Sequence, residues 1–228
     1  MHRMHNNNAP LHQQQRGFTL VEMAVVLVVI GLLLGGVLKG QELINSARVK
    51  NLVNDFRTTA SHLHTYQDRF RSLPGDDPGA AAHLAGAITA STGGTVGNGR
   101  VDGNWNSTTA TDESLLFWQH VRLANLAGGD GRNPGAEGMD VTTWLPRNAV
   151  GGRIGVTSTS PITGWSGSLF VCQDNISGRL AQQVDINMDD GLPNTGSVRL
   201  MANGSATSAA IAPADLNETA LYTVCTSA

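Results

Sequence analysis

Arg16-Gly17-Phe18-Thr19-Leu20-Val21-Glu22 leads into Met23-Ala24-Val25-Val26-Leu27-Val28-Val29-Ile30-Gly31-Leu32-Leu33-Leu34-Gly35-Gly36-Val37-Leu38. Between Phe18 and Leu38 the single charge is Glu22. About 20 apolar residues in a row cross a bilayer core as a helix, and a helix pairs its backbone polar groups within itself. Glu22 is the anomaly. A carboxylate inside a membrane helix costs on the order of 3 kcal/mol on insertion scales, so it calls for a partner or a function. One reading is a signal-anchor helix with an incidental acid near its end. A cleavable secretory signal fits less well, because its apolar stretch is about 7–15 residues and ends at a small-residue site.

Gly17-Phe18-Thr19-Leu20-Val21-Glu22, with the apolar run behind it, resembles the start of type IV prepilins and of the pseudopilins of type II secretion. The resemblance implies cleavage between Gly17 and Phe18 by a prepilin peptidase and N-methylation of Phe18. It assigns assembly to Glu22, with Thr19 and Leu20, the Glu22 carboxylate offsetting the Phe18 ammonium of a neighbouring subunit. A buried acid beside a buried amine is tolerable where either alone is not. The implied fold is α+β and pilin-like: a long N-terminal α-helix, transmembrane in its first half, packed on a small antiparallel β-sheet with long irregular loops. The implied partners are the peptidase, other pilin or pseudopilin subunits met through the N-terminal helix, and an inner-membrane assembly platform. Further along, Tyr66 with Leu73-Pro74-Gly75-Asp76, Gly97-Asn98-Gly99, Glu113 with Trp118, and Asp189-Asp190-Gly191 with Pro193 and Gly196 are similar to a group of bacterial prepilin-like proteins. That group is known more by its cleavage signal than by its task.

Four segments follow. Residues 1–17, with Asn6-Asn7-Asn8, Gln13-Gln14-Gln15 and three scattered histidines, read as a cytoplasmic leader. Its Arg3 and Arg16 favour the inside, which leaves the bulk of the chain outside; the resemblance implies a single-pass inner-membrane protein with its C-terminal domain in the periplasm, and later in a pilus or periplasmic pseudopilus. Residues 18–38 are the transmembrane or filament-core half of the helix, 39–73 its amphipathic half, and 74–228 a globular head. Loss of Arg3 and Arg16 takes the net charge from −3 to −5. A net acidic product has no global pull toward nucleic acid or anionic lipid, local patches aside.

Leu43, Ala47, Leu52, Phe56, Leu63, Tyr66 and Phe70 recur at helical spacing. No proline interrupts 18–73, and Pro74-Gly75 closes the run. A helix of about 56 residues would be roughly 84 Å long at 1.5 Å per residue. Ala80 to Ala90 reads as a short helix, and Gly93 to Trp105 as a loop with no phosphate-binding context, since no strand precedes it. A helix is predicted over Glu113 to Leu126, capped by Asp112 or Ser114, with His120 as a surface or packing residue. Another is predicted near Gly178 to Ile186. Strands are predicted at Arg153–Val156, Ser168–Cys172, Ser197–Met201 and Leu221–Cys225.

Cys172 and Cys225 are the only cysteines, and both are expected at strand ends. An exported domain favours a disulfide between them, free thiols being the alternative. Asp185, Asn187, Asp189 and Asp190 alternate in the manner of a calcium loop, but the Gly and distant Glu of the helix-loop-helix pattern are out of place. A locally capped helix end reads the same residues, and no other cofactor is expected. There is no GxSxG, no HExxH and no cysteine with a base, so an enzyme is not expected. The functional expectation is a pilin or minor pilin of a type IV pilus-like filament. The alternatives are a type II secretion pseudopilin, or a tip-located adhesion or DNA-binding minor pilin whose Trp105, Trp144, Trp165 and scattered arginines make contacts.

Overall fold

The computed structural model describes residues 19–227. The expected leader, residues 1–17, its Gly17 included, and Phe18 lie outside these residues. The chain divides into two compact units, up to Ile44 and from Asn45 onward.

Helix α1 covers Leu20–Phe70, 51 residues. It stops before Pro74 because Arg71 takes a left-handed conformation, with φ of 59°. The side chains from Leu20 to Leu38 are exposed almost throughout the described N-terminal unit. In the C-terminal unit the buried stripe of α1 is Val49, Leu52, Val53, Phe56, Thr59, Leu63 and Tyr66. The expected stripe began too early: Leu43 is 63% exposed and Ala47 is exposed as well. Helical spacing marks a face, but burial begins only where another layer covers it.

Four short helices and four strands follow: α2 Ala80–His83, α3 Glu113–Leu123, α4 Val141–Trp144, β1 Ile154–Thr157, β2 Phe170–Ser177, α5 Gly178–Met188, β3 Val198–Ala202 and β4 Leu221–Ser227. The sheet order is β1-β2-β4-β3, antiparallel throughout. This is an α+β fold consistent with a pilin. The predicted helix at Ala80 to Ala90 shrinks to four residues. Leu84 turns extended, and Ile88 instead gives its N–H to Gln119 and its carbonyl to His120.

The sheet is buried on both faces. On one face Val156, Val171, Val198, Leu200 and Val224 join the α1 stripe with Leu115, Phe117 and Val121 of α3. On the other, Phe170, Cys172, Met201 and Cys225 pack under Trp105, Ile162 and Trp165. Gly155 of β1 is required there, because a Cβ would stand 1.8 Å from the Trp105 carbonyl oxygen.

Strand β2 continues past Cys172 through Gln173-Asp174-Asn175, a polar stretch that reads as a strand end. Each polar side chain is used. Gln173 donates from Nε2 to the Leu52 carbonyl at 3.0 Å, tying sheet to helix. Asp174 takes the Arg153 backbone and guanidinium, and Asn175 sits at φ of 62° where the β2–β4 register shifts. Cys172 and Cys225 are therefore not at strand ends. They face each other in register on β2 and β4 and form a disulfide.

The bridge closes a sequence separation of 53 residues. In the chain-entropy account it stabilises the C-terminal unit by about 4 kcal/mol. The double variant Cys172→Ala/Cys225→Ala is expected to lose stability of that order in urea unfolding, with its binding partners in the sheet unchanged.

Candidate functional site

Helix α1 opens on a reciprocal cap. The Thr19 N–H and hydroxyl both donate to Glu22 Oε2, each at 2.7 Å, and the Glu22 N–H donates to Thr19 Oγ1 at 3.2 Å. This is a capping box, which satisfies orphan donors at a helix start. Thr-x-x-Glu is its sequence signature, legible in Thr19-Leu20-Val21-Glu22. Leu20 follows as the first helical residue, 87% exposed. Among the described residues α1 is the one helix long and apolar enough to cross a membrane.

The second cluster lies at the far end of α5. Asp185, Asp189 and Asp190 bring one carboxylate oxygen each within 4.8 Å of one another. Asp189 Oδ2 accepts the Ser197 and Val198 N–H groups. Asp190 accepts the Leu192 N–H and the Thr195 hydroxyl. These bonds fold the 190–198 segment back onto the helix end. Asp185 differs: it is 1% exposed, and neither of its oxygens meets a hydrogen bond of good geometry. Burial first, then the charges of Asp190 and Asp189, push its carboxyl up to about 7, against the opposing effect of the nearby Gly191 N–H. Three carboxylates with one buried and unpartnered form an all-oxygen donor set, the chemistry of a hard cation such as calcium. Asn187, expected beside them, gives its amide N–H to the Gln183 carbonyl.

A third group of acids organises the loops before α3. Asp76, 2% exposed, accepts the N–H groups of Gly97, Asn98 and Gly99. The glycine loop thus wraps the chain's own carboxylate as such loops wrap anions. Asp77 holds the Tyr66 hydroxyl and His83 Nδ1, both at 2.7 Å. Burial works to raise the Asp77 pKa, but the bonds from His83, Tyr66 and the Gly79 N–H outweigh it and leave it lowered. His120 is fully buried, which decides for the packing reading over the surface one. Its Nδ1 accepts the Gly75 N–H, which assigns the proton to Nε2 and a bond to the Ile88 carbonyl. Burial lowers its pKa. The three tryptophans read as contact residues are buried, at 3%, 6% and 6% exposure for Trp105, Trp144 and Trp165. Arg100, Arg132, Arg147 and Arg153 each bond within the chain.

Residues 12–38 match the family model of the prokaryotic N-terminal methylation motif. The chain carries the prepilin-type signal. It is the signal of type IV prepilins and pseudopilins, and it supports a pilin- or pseudopilin-type precursor. No curated protein and no solved structure matches the chain. The prepilin-type signal implies processing by prepilin peptidase and assembly with other pilins, and with the apolar helix it indicates membrane anchoring. The family that bears this signal is structural rather than enzymatic.

Glu113 supplies a pH test of the loop network. It is fully buried, Oε2 accepts the Asp102 N–H, and Oε1 has no partner. Burial above all, then Asp76, Asp102 and Asp112, raise its pKa to about 7, the Asp102 bond opposing. The folded state therefore keeps a proton that the unfolded state has released, and stability falls as pH rises from about 4.5 to about 7. Glu113→Gln keeps the acceptor for Asp102 and removes this term. Its melting temperature is expected to gain on the wild type as pH rises through that window, measured by thermal melts across pH.

Proposed function

We propose that this protein is a structural subunit, pilin or minor pilin, of a type IV pilus-like filament. The observation that carries it is the prepilin-type signal on a helix whose apolar side chains are exposed from Leu20 to Leu38. Residues 1–17 are removed by the peptidase, Phe18 is methylated, and 18–38 reside in the inner membrane with the C-terminal unit in the periplasm. An assembly platform then moves the subunit into a filament, where neighbouring helices cover the apolar surface. At about 25 cal/mol per Å², several hundred Å² of such contact is a large driving force. A pseudopilin of type II secretion is served by the same signal and the same helix.

In the filament Glu22 exchanges its cap for a neighbour's Phe18 ammonium. Glu22→Gln separates the two roles, because Gln serves in a capping box and carries no charge. In cells with the peptidase and the assembly machine, the variant product is expected to start at methylated Phe18 by intact mass, as in the wild type. Sheared filaments are expected to fall at least tenfold. Wild-type filament levels would remove the charge role.

Asp185, Asp189 and Asp190 fit a calcium ion, the buried and unpartnered Asp185 carboxylate being the reason. The ion would neutralise the cluster and pin the 190–198 segment to α5. Millimolar calcium is expected to raise the melting temperature of the detergent-solubilised chain by several degrees and to bind once per chain in calorimetry. Asp185→Asn is expected to lose both effects while melting no lower than the calcium-free wild type. A wild-type chain indifferent to calcium would end this assignment.

A further inference from the structure

The chain contains four Asn-x-Ser/Thr tripeptides with no proline at the middle position: Asn106-Ser107-Thr108, Asn175-Ile176-Ser177, Asn203-Gly204-Ser205 and Asn217-Glu218-Thr219. Such tripeptides are acceptors for N-linked glycans on surface loops of exported proteins. Their side chains are in different states. Asn106 and Asn175 are half-buried, and the side-chain amide nitrogen of each donates into the fold, to the Gly204 carbonyl at 2.8 Å and to the Val150 carbonyl at 3.2 Å. Asn203 is exposed, but its side-chain oxygen accepts the Asn175 N–H at the register shift of β2.

Asn217 is free of both restraints. It is exposed, as are Asp215, Glu218 and Thr219 around it. Its Oδ1 accepts both the N–H and the hydroxyl of Thr219, each at 2.9 Å. The tripeptide's two recognition groups are thus brought together, and Nδ2, the atom that would be modified, is not drawn into the fold. The loop is also fixed in place. The Asn217 N–H donates to the Tyr222 hydroxyl, and the Glu218 and Ala220 carbonyls accept from Arg179 and Gly178 at the start of α5. Gly178 lets the two segments meet, since a Cβ there would stand 2.1 Å from the Asn217 carbonyl oxygen. Two residues before the asparagine, exposed Asp215 offers a carboxylate to a transferase arginine. Asn104, Gln173 and Met201 hold that place in the other three tripeptides.

We infer that Asn217 is an N-glycosylation site, with an oligosaccharide carried on a polyprenyl pyrophosphate as donor and a periplasmic oligosaccharyltransferase as catalyst. Nδ2 forms a bond to the anomeric carbon of the donor's first sugar. The bond from that carbon to the pyrophosphate oxygen breaks, polyprenyl pyrophosphate leaves with the electron pair, and the amide proton goes to a base on the transferase. The inference rests on the proposed periplasmic placement of the C-terminal unit.

The test has two arms. In the first, the full chain is made in bacteria holding the prepilin peptidase, a transferase that requires an acid two residues before its asparagine, and the lipid-linked donor. Intact mass and peptide mapping are expected to show one oligosaccharide on Asn217. It is expected to be lost in Asn217→Gln and Thr219→Ala, reduced at least tenfold in Asp215→Ala, and retained in Asn106→Gln and Asn203→Gln. In the second, the purified full chain in detergent is incubated with the same transferase and donor, which reads the acceptor whatever its compartment. Sugar in the second arm alone supports the acceptor and overturns the placement. Sugar in neither arm, with a control acceptor modified in both, or sugar only on Asn106, Asn175 or Asn203, overturns the inference.

Discussion

Burial of one face of α1 between Val49 and Leu63 positions the C-terminal unit. Leu52 and Phe56 lie against the sheet, and each such side chain contributes on the order of 2 kcal/mol when fully removed from water. Gln173 adds direction to this apolar contact. Its bond to the Leu52 carbonyl links a mid-strand position to a mid-helix one, and a buried polar group is costly unless so paired. With β2 placed, the in-register pairs to β1 and β4 place the sheet, and the cystine at Cys172 and Cys225 joins its two central strands.

The long irregular segments before α3 depend on a different device. The chain is only 14% charged, yet several of its acids are buried. Asp76 gathers three N–H groups of the 97–99 turn, Asp112 takes the hydroxyls of Thr92 and Ser107, and Glu113 takes the Asp102 N–H. Backbone groups outside helices and strands must be satisfied somehow, and here carboxylates do it. The cost is left at the Glu113 and Asp185 oxygens without partners, which makes these two positions responsive to protons or cations.

The N-terminal unit follows the opposite logic. Its helix is complete in backbone hydrogen bonds and capped at Thr19–Glu22, so it needs no tertiary partner to be a helix. Its apolar surface is exposed among the described residues and calls for a cover. Lipid and neighbouring helices are the two environments that a prepilin-type signal assigns to such a surface.

Sequence alone determined the helix, because a run of apolar residues, a helical stripe and a closing Pro74 are local patterns. It also located all four strands, and α3 and α5 within a few residues, through β-branched runs and turn residues. The prepilin-type signal was legible for the same reason: its information lies in consecutive residues. Tertiary structure alone decided where burial on α1 begins, since Leu43 and Leu52 belong to one expected stripe but only Leu52 is covered. It carried β2 through Gln173-Asp174-Asn175, whose partners lie 121 residues away in α1 for Gln173 and 21 away at Arg153, just before β1, for Asp174. It buried His120 and the three tryptophans, and it drew Asp185 toward Asp189 and Asp190. Each of these outcomes depends on contacts between distant segments, and a single segment's residue pattern does not contain its partners.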